Sequence, residues 1–335
     1  MPTLRDIARE AGVSVGTASN VLNDPNVVSS ETRERVLAVM RSHNYRPSAV
    51  ARSLSTGRTR TFGLIVSSIF NPFTAGLVQG ASEAVRDMGR SLLVATTAYD
   101  GRDVPEQVDM LVHQWIDGIF LASQPLPETV YSQLGFGETP VVVMDHGQPL
   151  PGNVVGLVGF DWRGAGYQVT KHLIELGHQR IGYVGGIPAR SSSALREEGY
   201  RQALAEAGIS CDPELCLEGN YLTDSGLECA RKLLQHPDRP TALAMANDMM
   251  ALGAYQAAAE LGLRIPDDVS ITGIDDNYFV AHISPPLTTV FVPTSKLGRV
   301  GIEILAETTG RDCGVRQVVL PVELVVRQST APPHS

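Results

Sequence analysis

The sequence contains no hydrophobic run close to the roughly 20 residues that a membrane-spanning helix needs. Its opening, MPTLRDIAREAG, also lacks the apolar stretch of a secretory signal. Cysteine is scarce, and its four residues show no CxxC spacing, at positions 211, 216, 229 and 313. These features predict a cytoplasmic protein with no membrane partner. They also predict free thiols rather than zinc ligands or disulfides.

Motifs of the common enzyme classes are missing as well. No GxxxxGK[ST] or GxSxG is present, and no GxGxxG follows a strand with an acidic residue about 20 positions later. No Ser/His/Asp or Cys/His set stands out. We therefore expect a binding protein rather than an enzyme, with no cofactor and no metal site.

Charge is unevenly distributed along the chain. The 335 residues carry a net charge of −9, and a chain of this length is expected to form more than one domain. Residues 1–60 hold nine arginines against five acidic residues, which gives +4 and leaves −13 for residues 61–335. A small basic head on a large acidic body favours binding to a polyanion, although a short window can reach this charge by chance.

Residues 1–46 show the pattern of three short helices. Thr3 is a predicted N-cap with an acid at the capping-box position, and Gly12 supplies the turn after the first helix. Ser14 and Ser29 are predicted N-caps of the next two helices. A helix, a short glycine turn and a second helix form the layout of a helix-turn-helix DNA-binding domain.

The second helix, within VSVGTASNVLN at residues 13–23, has an unusual composition. Its apolar residues Ala18, Val21 and Leu22 recur at helical spacing and are expected to face the core. The outward positions are Val15, Gly16, Thr17, Ser19 and Asn20. Small side chains allow close approach to DNA, and amide or hydroxyl groups can read base edges in the major groove. The alternative is a polar face turned to solvent.

Residues 47–60 follow as a hinge and linker. Pro47 can begin a helix of about two turns that ends near Leu54. A helix this short is marginal in water without a partner. Leu54 could then insert between base pairs from the minor groove and kink the duplex. The alternative is an ordinary linker.

From residue 61 onward, β-rich runs such as TFGLIV and PVVVMD alternate with amphipathic runs such as GLVQGASEAVRDMG. This alternation predicts parallel sheets with helices on both faces. The pattern breaks near 150–162 and therefore predicts two subdomains. Their expected bounds are 61–160 plus 291–320, and 161–290 plus 321–330.

Polar and aromatic residues follow several of the predicted strands, where open α/β sheets bind ligands. The candidates are Phe73, Asp145, Arg190, Ser192, Arg196, Tyr221, Asn247 and Asp275. Carboxylates, an amide, a guanidinium and aromatic faces suit a polyhydroxylated ligand. Arg196, Asn247 and Asp275 are the strongest candidates.

Each of the others has a structural alternative. Arg190 could be a solvated loop residue, and Phe73 and Tyr221 could belong to the core. Asp248 is expected to cap the helix that follows it. Trp162 is expected to pack rather than to stack on a ligand.

The segments TLRDIAREAGVSVGTASNVLN and VSSETRERVLAVMRSHNYRPSAVARSL, together with the βα body, resemble the lactose/galactose repressor family of bacterial transcription regulators. The resemblance covers essentially the whole chain. It implies an all-α helix-turn-helix head and an α/β periplasmic-binding-protein-like body of two doubly wound parallel-sheet subdomains. It also implies that residues 47–54 form a hinge helix.

The same resemblance implies the residues that contact DNA, with positions 15, 16 and 20 reading bases and Leu54 acting as the wedge. The full set is Thr3, Ser14, Val15, Gly16, Thr17, Ser19, Asn20, Asn23, Ser29, Tyr45, Ser48, Ala51 and Leu54. TASN stands here where the commoner family pattern has TVSR, so the operator half-site does not follow from the family.

The function implied is that of a homodimeric repressor on a pseudo-palindromic double-stranded operator, controlled by a small polar effector in the body. The chain ends without the apolar heptads of tetrameric relatives, so we expect a dimer. A sugar or sugar acid is the first expectation for the effector, and a nucleoside or purine is the second. Two alternatives are a periplasmic-type sugar-binding protein, which the basic head disfavours, and a cytoplasmic sugar- or nucleoside-binding protein without control of DNA.

Overall fold

The computed structural model describes residues 2–45, 58–98, 101–123, 138–145, 153–188, 190–308 and 314–334. The chain divides into two compact units, Met1–Arg60 and Thr61–Ser335, which we call the head and the body. The predicted hinge residues Ser48, Ala51 and Leu54 lie outside the described residues.

The described part of the head contains three α-helices, α1 (Leu4–Glu10), α2 (Val15–Asn23) and α3 (Ser30–Ser42). All three predicted N-caps are confirmed. Thr3 forms a reciprocal capping box with Asp6, and the Ser14 and Ser29 hydroxyls each accept a hydrogen bond from a backbone N–H of the following turn. The helices enclose a small apolar core that consists of Ile7, Ala8, Ala11, Ala18, Val21, Val36 and Met40.

The described part of the body contains two six-stranded sheets. The strands of the first are β1 (Thr61–Val66), β2 (Ser91–Thr96), β3 (Gly118–Ala122), β4 (Val141–Met144), β5 (Val154–Phe160) and β11 (Arg316–Leu320). Their order across the sheet is β11-β5-β4-β3-β1-β2, and all neighbouring strands are parallel. Its described helices are α4 (Pro72–Asp87), α5 (Val104–His113) and α10 (Thr294–Thr308).

The second sheet repeats this plan with the order β12-β10-β9-β8-β6-β7. Its strands are β6 (Ile181–Gly185), β7 (Cys216–Glu218), β8 (Ala242–Met245), β9 (Ser270–Asp275), β10 (Thr288–Phe291) and β12 (Glu323–Val325). Only β12 among these described strands runs antiparallel, against β10. The helices are α6 (Trp162–Glu175), α7 (Ser191–Glu206), α8 (Thr223–Leu234) and α9 (Asp248–Glu260). The predicted fold class, a helix-turn-helix head with a doubly wound two-part body, is confirmed.

Helices α6 and α7 pack backbone against backbone because each has a glycine at the contact. A Cβ on Gly166 would lie 2.0 Å from the Arg196 carbonyl oxygen, and one on Gly199 would lie 2.1 Å from the Arg163 carbonyl oxygen. Real side chains do not fit at these distances. This contact fixes the height of Arg196 on α7 relative to Trp162 at the start of α6.

The C-terminal segment is held to the second sheet by a buried histidine. His178 Nδ1 lies 2.8 Å from Thr241 Oγ1, and its Nε2 lies 3.1 Å from Ser270 Oγ and 3.0 Å from the Ala331 carbonyl oxygen. Burial lowers the pKa of His178. The residue therefore serves the packing of the chain end.

None of the described helices is long and apolar enough to cross a bilayer.

Candidate functional site

The outward face of α2 presents the predicted DNA-reading residues. Val15, Gly16 and Asn20 are exposed, with 44% of Val15 accessible. Thr17 and Ser19 are half-buried, and Thr17 Oγ1 lies 2.9 Å from Ser14 Oγ. The face therefore combines a gap at the glycine with an apolar and an amide side chain, which is the mixture that direct readout of base edges uses.

The remaining predicted head contacts have structural roles as well. Thr3 and Ser29 are exposed caps at the starts of α1 and α3. The half-buried Tyr45 packs against the head core and donates its backbone N–H to the Met40 carbonyl oxygen. Asn23 ends α2, and its side chain lies outside the described residues.

A cleft lies in the body where strands of both sheets end. It encloses about 670 Å³ of space, part of it open to solvent. All eight predicted effector residues line it. Eight further lining residues were not among the predicted site residues, and they are Ser67, Ser68, Asn71, Thr74, Ala122, Ser123, Met144 and Trp162.

One wall of the cleft is aromatic. The Phe73 ring centroid lies 6.1 Å from that of Trp162, and the Trp162 ring meets Phe160 edge-on at 5.1 Å. Trp162 is buried, as the expectation of packing requires, yet it also borders the cavity. The wall offers an apolar surface on which a flat face of a ligand can rest.

Arg196 lies at the centre of the site. Its guanidinium carbon sits 3.7 Å from the Trp162 ring centroid, and its Nη1 donates to the Tyr221 hydroxyl at 2.9 Å. The same hydroxyl lies 2.5 Å from Ser193 Oγ. Arg196 Nε is buried and has no hydrogen-bond partner among the described residues. The Arg196 guanidinium is therefore held in place while its Nε donor remains unpaired among the described residues.

Tyr221 is held in a backbone conformation that tyrosine rarely adopts, with φ of 68°. Asn247 Nδ2 donates to the Tyr221 carbonyl oxygen at 3.1 Å and so anchors this turn. The ring lies directly against Gly186, where a Cβ would come within 2.0 Å of the Tyr221 Cζ atom. Tyr221 thus belongs both to the core and to the site.

Asn247, predicted to contact the effector, lines the cleft and also makes hydrogen bonds within the protein. Its Oδ1 accepts from the Met250 N–H at 2.9 Å, which makes Asn247 the N-cap of α9. The expectation that Asp248 caps this helix is wrong. Asp248 instead accepts from the Asn277 N–H at 2.8 Å and from Thr289 Oγ1 at 2.6 Å, deep in the second sheet. Burial raises its pKa well above the usual range.

Asp275 is a buried carboxyl at the end of β9. Burial raises its pKa to about 7, and the nearby Arg196 guanidinium and Asn277 amide oppose that rise. The amide is close without completing a hydrogen bond, because Asp275 Oδ1 and Asn277 Nδ2 both lack a partner among the described residues. An acceptor therefore remains available at the cleft.

Asp145 faces the cleft from the end of β4. The residue as a whole keeps partial exposure, while burial of its carboxyl raises the pKa to about 6. The adjacent Trp162 indole and Arg196 guanidinium oppose the rise. The Asp145 carbonyl oxygen accepts from Ser191 Oγ at 2.6 Å, which ties this strand end to the start of α7.

Arg190 and Ser192 lie at that same helix start. Arg190 is buried rather than solvated, with its guanidinium carbon 5.0 Å from the Tyr221 ring centroid. It occupies the N-cap position of α7 without capping through its side chain. The structural alternative of a solvated loop arginine is therefore wrong.

The sequence analysis did not predict Ser123, although the search of strand ends that found the other residues applies to it as well. Ser123 directly follows β3, and its hydroxyl is buried with no partner among the described residues. Ser67 and Ser68 follow β1 in the same way.

Comparison with known proteins places this geometry in context. Residues 3–48 match the model of bacterial regulatory proteins of the lacI family, and residues 170–330 match that of a periplasmic binding protein-like domain. HTH-type transcriptional repressor PurR of Haemophilus influenzae strain PittEE is 38% identical over 334 residues, which cover 98% of each chain. The repressor of the same name from Aliivibrio salmonicida is 38% identical over 308 residues, 92% of each chain.

Two solved structures extend the comparison. The lac repressor dimer bound to operator and the anti-inducer ONPF has a TM-score of 0.86 and 30% identity, covering 98% of this chain and 99% of that one. The complex of the transcriptional regulator CelR with cellobiose has a TM-score of 0.75 and 33% identity, and the match covers 98% of this chain and 100% of that one. These relatives are regulators rather than enzymes, in agreement with the missing catalytic motifs. With its capped helix-turn-helix head, its two-sheet body and relatives that match along nearly its whole length, the chain belongs to the lacI family of bacterial regulatory proteins and is a DNA-binding transcriptional repressor.

Proposed function

We propose that a small polar effector binds in the body cleft and changes the affinity of the head for its operator. The observation that carries this proposal is a set of buried polar atoms on cleft-lining residues that have no hydrogen-bond partner among the described residues: Arg196 Nε, Asp275 Oδ1 and Ser123 Oγ. A buried polar atom without a partner costs about 1–3 kcal/mol. A ligand that supplies the partners recovers this energy.

The chemistry of these atoms favours a sugar as the effector. Arg196 Nε can only donate, an ionised Asp275 can only accept, and Ser123 can do both. A polyhydroxylated ligand matches all three because each hydroxyl donates and accepts. The aromatic wall of Phe73 and Trp162 suits the apolar C–H face of a sugar ring. The cellobiose complex of CelR is a related case.

A nucleoside or purine is the second candidate ligand for the same function. The rings of Phe73 and Tyr221 both line the cleft and offer stacking surfaces for a flat base. Arg196 and Asp275 offer one donor and one acceptor for its edge. In either case the protein needs an effector and no cofactor.

The proposed assembly is a homodimer that places two heads on a pseudo-palindromic operator. The support is the related lac repressor, whose solved structure is a dimer bound to operator. The effector can shift operator affinity only by the difference between its own affinities for the DNA-bound and free forms. The sign of that difference decides whether it releases or promotes repression.

The test begins with selection of an operator from random double-stranded DNA by the full-length protein. Pentoses, hexoses, sugar acids, nucleosides and purines are then screened by thermal unfolding. A ligand at 100 times its dissociation constant adds about 2.7 kcal/mol to stability. The hit is added to the protein–operator complex, and the change in operator affinity gives the sign.

The control is Asp275→Ala, which should bind operator normally and ignore the hit. If a ligand stabilises this variant as much as the wild type, it binds elsewhere and the cleft proposal is wrong. If the hit binds the cleft without any change in operator affinity, the chain is a binding protein without control of DNA.

A further inference from the structure

Two cysteines outside the cleft lie next to each other in the body. Cys211 Sγ is 3.8 Å from Cys216 Sγ, across the single helical turn Pro213–Leu215. Both residues are half-buried. Cys229 is differently placed, since its Sγ donates to the Glu218 carbonyl oxygen at 3.4 Å. The pair is therefore distinct from the other described cysteine.

The two sulfurs of the pair have unlike surroundings. Arg201 Nη1 lies 3.1 Å from Cys211 Sγ, and Glu197 Oε1 fixes the same guanidinium by accepting from Arg201 Nε at 2.9 Å. A guanidinium at this distance stabilises negative charge on the sulfur. Burial and the neighbouring Cys211 raise the pKa of the Cys216 thiol to about 12. Because the Arg201 guanidinium contacts the Cys211 sulfur, we assign Cys211 as the nucleophile of the pair and Cys216 as the thiol that resolves it.

Both cysteines keep partial exposure to solvent. A pocket of about 690 Å³, partly open, lies beside β6, β7 and α7 and reaches Cys216. Its lining includes Cys216, Arg201, Glu197 and Tyr183. The polar rim and the volume suit a small polar oxidant.

We propose that Cys211 and Cys216 form a redox-modification site that hydroperoxides oxidise to a disulfide within one chain. The Cys211 thiolate attacks a peroxide oxygen, so an S–O bond forms, the O–O bond breaks and hydroxide leaves to become water. The Cys216 sulfur then attacks Cys211, the S–S bond forms, and the S–O bond breaks with loss of water. Two thiols lose two electrons, and one hydrogen peroxide becomes two waters.

This site has a direct path to the effector cleft. Cys216 begins β7 and pairs with Tyr183 of β6, and the chain reaches Tyr221 five residues later. Bond formation must bring the sulfurs closer than 3.8 Å and so moves the start of β7. The same strand leads to the turn that carries Tyr221, so oxidation is expected to alter the cleft.

The experiment uses the full-length protein, reduced, freed of reductant and treated with hydrogen peroxide. Remaining thiols are alkylated, and a protease that cleaves after glutamate separates the segments 207–214 and 215–218, each with one cysteine of the pair. We expect a linked peptide pair from wild type and from the control Cys229→Ser. Loss of either Cys211 or Cys216 should abolish it. Wild-type protein without this link, or linked instead through Cys229, would overturn the proposal.

The order of attack is tested with single variants and a sulfenic-acid trap. Cys216→Ser should accumulate trapped sulfenic acid on Cys211, and Cys211→Ser should give little on Cys216. Arg201→Gln should slow trapping on Cys211 roughly three- to tenfold, because it removes the donor that stabilises the thiolate. The reverse labelling preference would refute Cys211 as the nucleophile.

The connection to the cleft has its own readout. In a Trp115→Phe background the emission comes from Trp162, the other tryptophan of the chain, which lines the cleft. Peroxide should change this emission, and dithiothreitol should restore it. The emission of Cys229→Ser should change as in the parent protein, and the emission of Cys211→Ser should not change with peroxide. A disulfide that leaves the emission unchanged would show that oxidation does not reach the cleft.

Discussion

Replacing Asp275 with asparagine should make the folded body more stable while it removes the response to effector. The carboxyl is buried, one of its oxygens has no partner among the described residues, and its pKa is raised from the ordinary 3.8 to about 7. The folded state therefore binds this proton more tightly than the unfolded state. By linkage, the contribution of the group to stability falls as the pH rises from about 4 to about 7.

The expected magnitude follows from that pKa. At about 1.4 kcal/mol per tenfold change, the raised pKa lowers the free energy of unfolding by about 4 kcal/mol at pH 8 and by about 2 kcal/mol at pH 5, relative to a carboxyl with the ordinary pKa. Asparagine carries no charge to desolvate. We expect Asp275→Asn to gain up to about 4 kcal/mol at pH 8 and a clearly smaller amount at pH 5.

The assay is urea unfolding at the two pH values, followed by tryptophan emission. Trp115 and Trp162 both belong to the body, so the signal reports the body and not the head. Asp109→Asn on the exposed face of α5 is the matched control and should change stability by less than about 0.5 kcal/mol. If Asp275→Asn is less stable than wild type at pH 8, or gains equally at both pH values, the carboxylate is not held at a cost and the reasoning fails.

The remaining predictions concern three other places. Gly186→Ala should displace the Tyr221 ring, since the new Cβ would lie 2.0 Å from Cζ, and should weaken effector binding in a tryptophan-emission titration without altering effector-free operator affinity. Asn20→Ala should cost about 1–3 kcal/mol in specific operator binding and little in non-specific binding, as measured on selected and scrambled DNA; equal losses on both would exclude base reading. His178→Phe should increase amide exchange in residues 327–331, because the contact to the Ala331 carbonyl is lost; unchanged exchange there would mean that the other bonds of the segment suffice.

Much of the site could be predicted because open α/β sheets bind ligands beyond the carboxyl ends of their strands. Arg196 and Asp275 belong to different βα units, yet the carboxyl ends of parallel strands lie at one edge of the sheet. The same rule does not reveal how a side chain is used. Asn247 reaches the cleft, but its amide is engaged by Met250 and Tyr221, partners that only the folded chain brings together.

The conformation of Tyr221 could not be predicted from the sequence, because it depends on contacts with residues distant along the chain. The unusual backbone of Tyr221 is stabilised by Asn247, and its ring occupies the space that a side chain at Gly186 would fill. Neither residue carries a local signal for this role. The caps of the head, in contrast, were fully predictable, because Thr3, Ser14 and Ser29 each bond to a residue three positions away.

The order of strands in the first sheet also bears on how the protein is made. Its edge strand β11 comes from residues 316–320, so β5 has no outer neighbour until that segment has left the ribosome. The second sheet likewise awaits β12 at residues 323–325. The head lies within residues 1–60 and can fold early in synthesis, whereas both halves of the body are finished only once residues 316–325 have been made. A nascent chain can therefore carry a folded DNA-reading head before it has a completed sensor, and a premature stop near residue 310 would leave two open sheet edges exposed to aggregation.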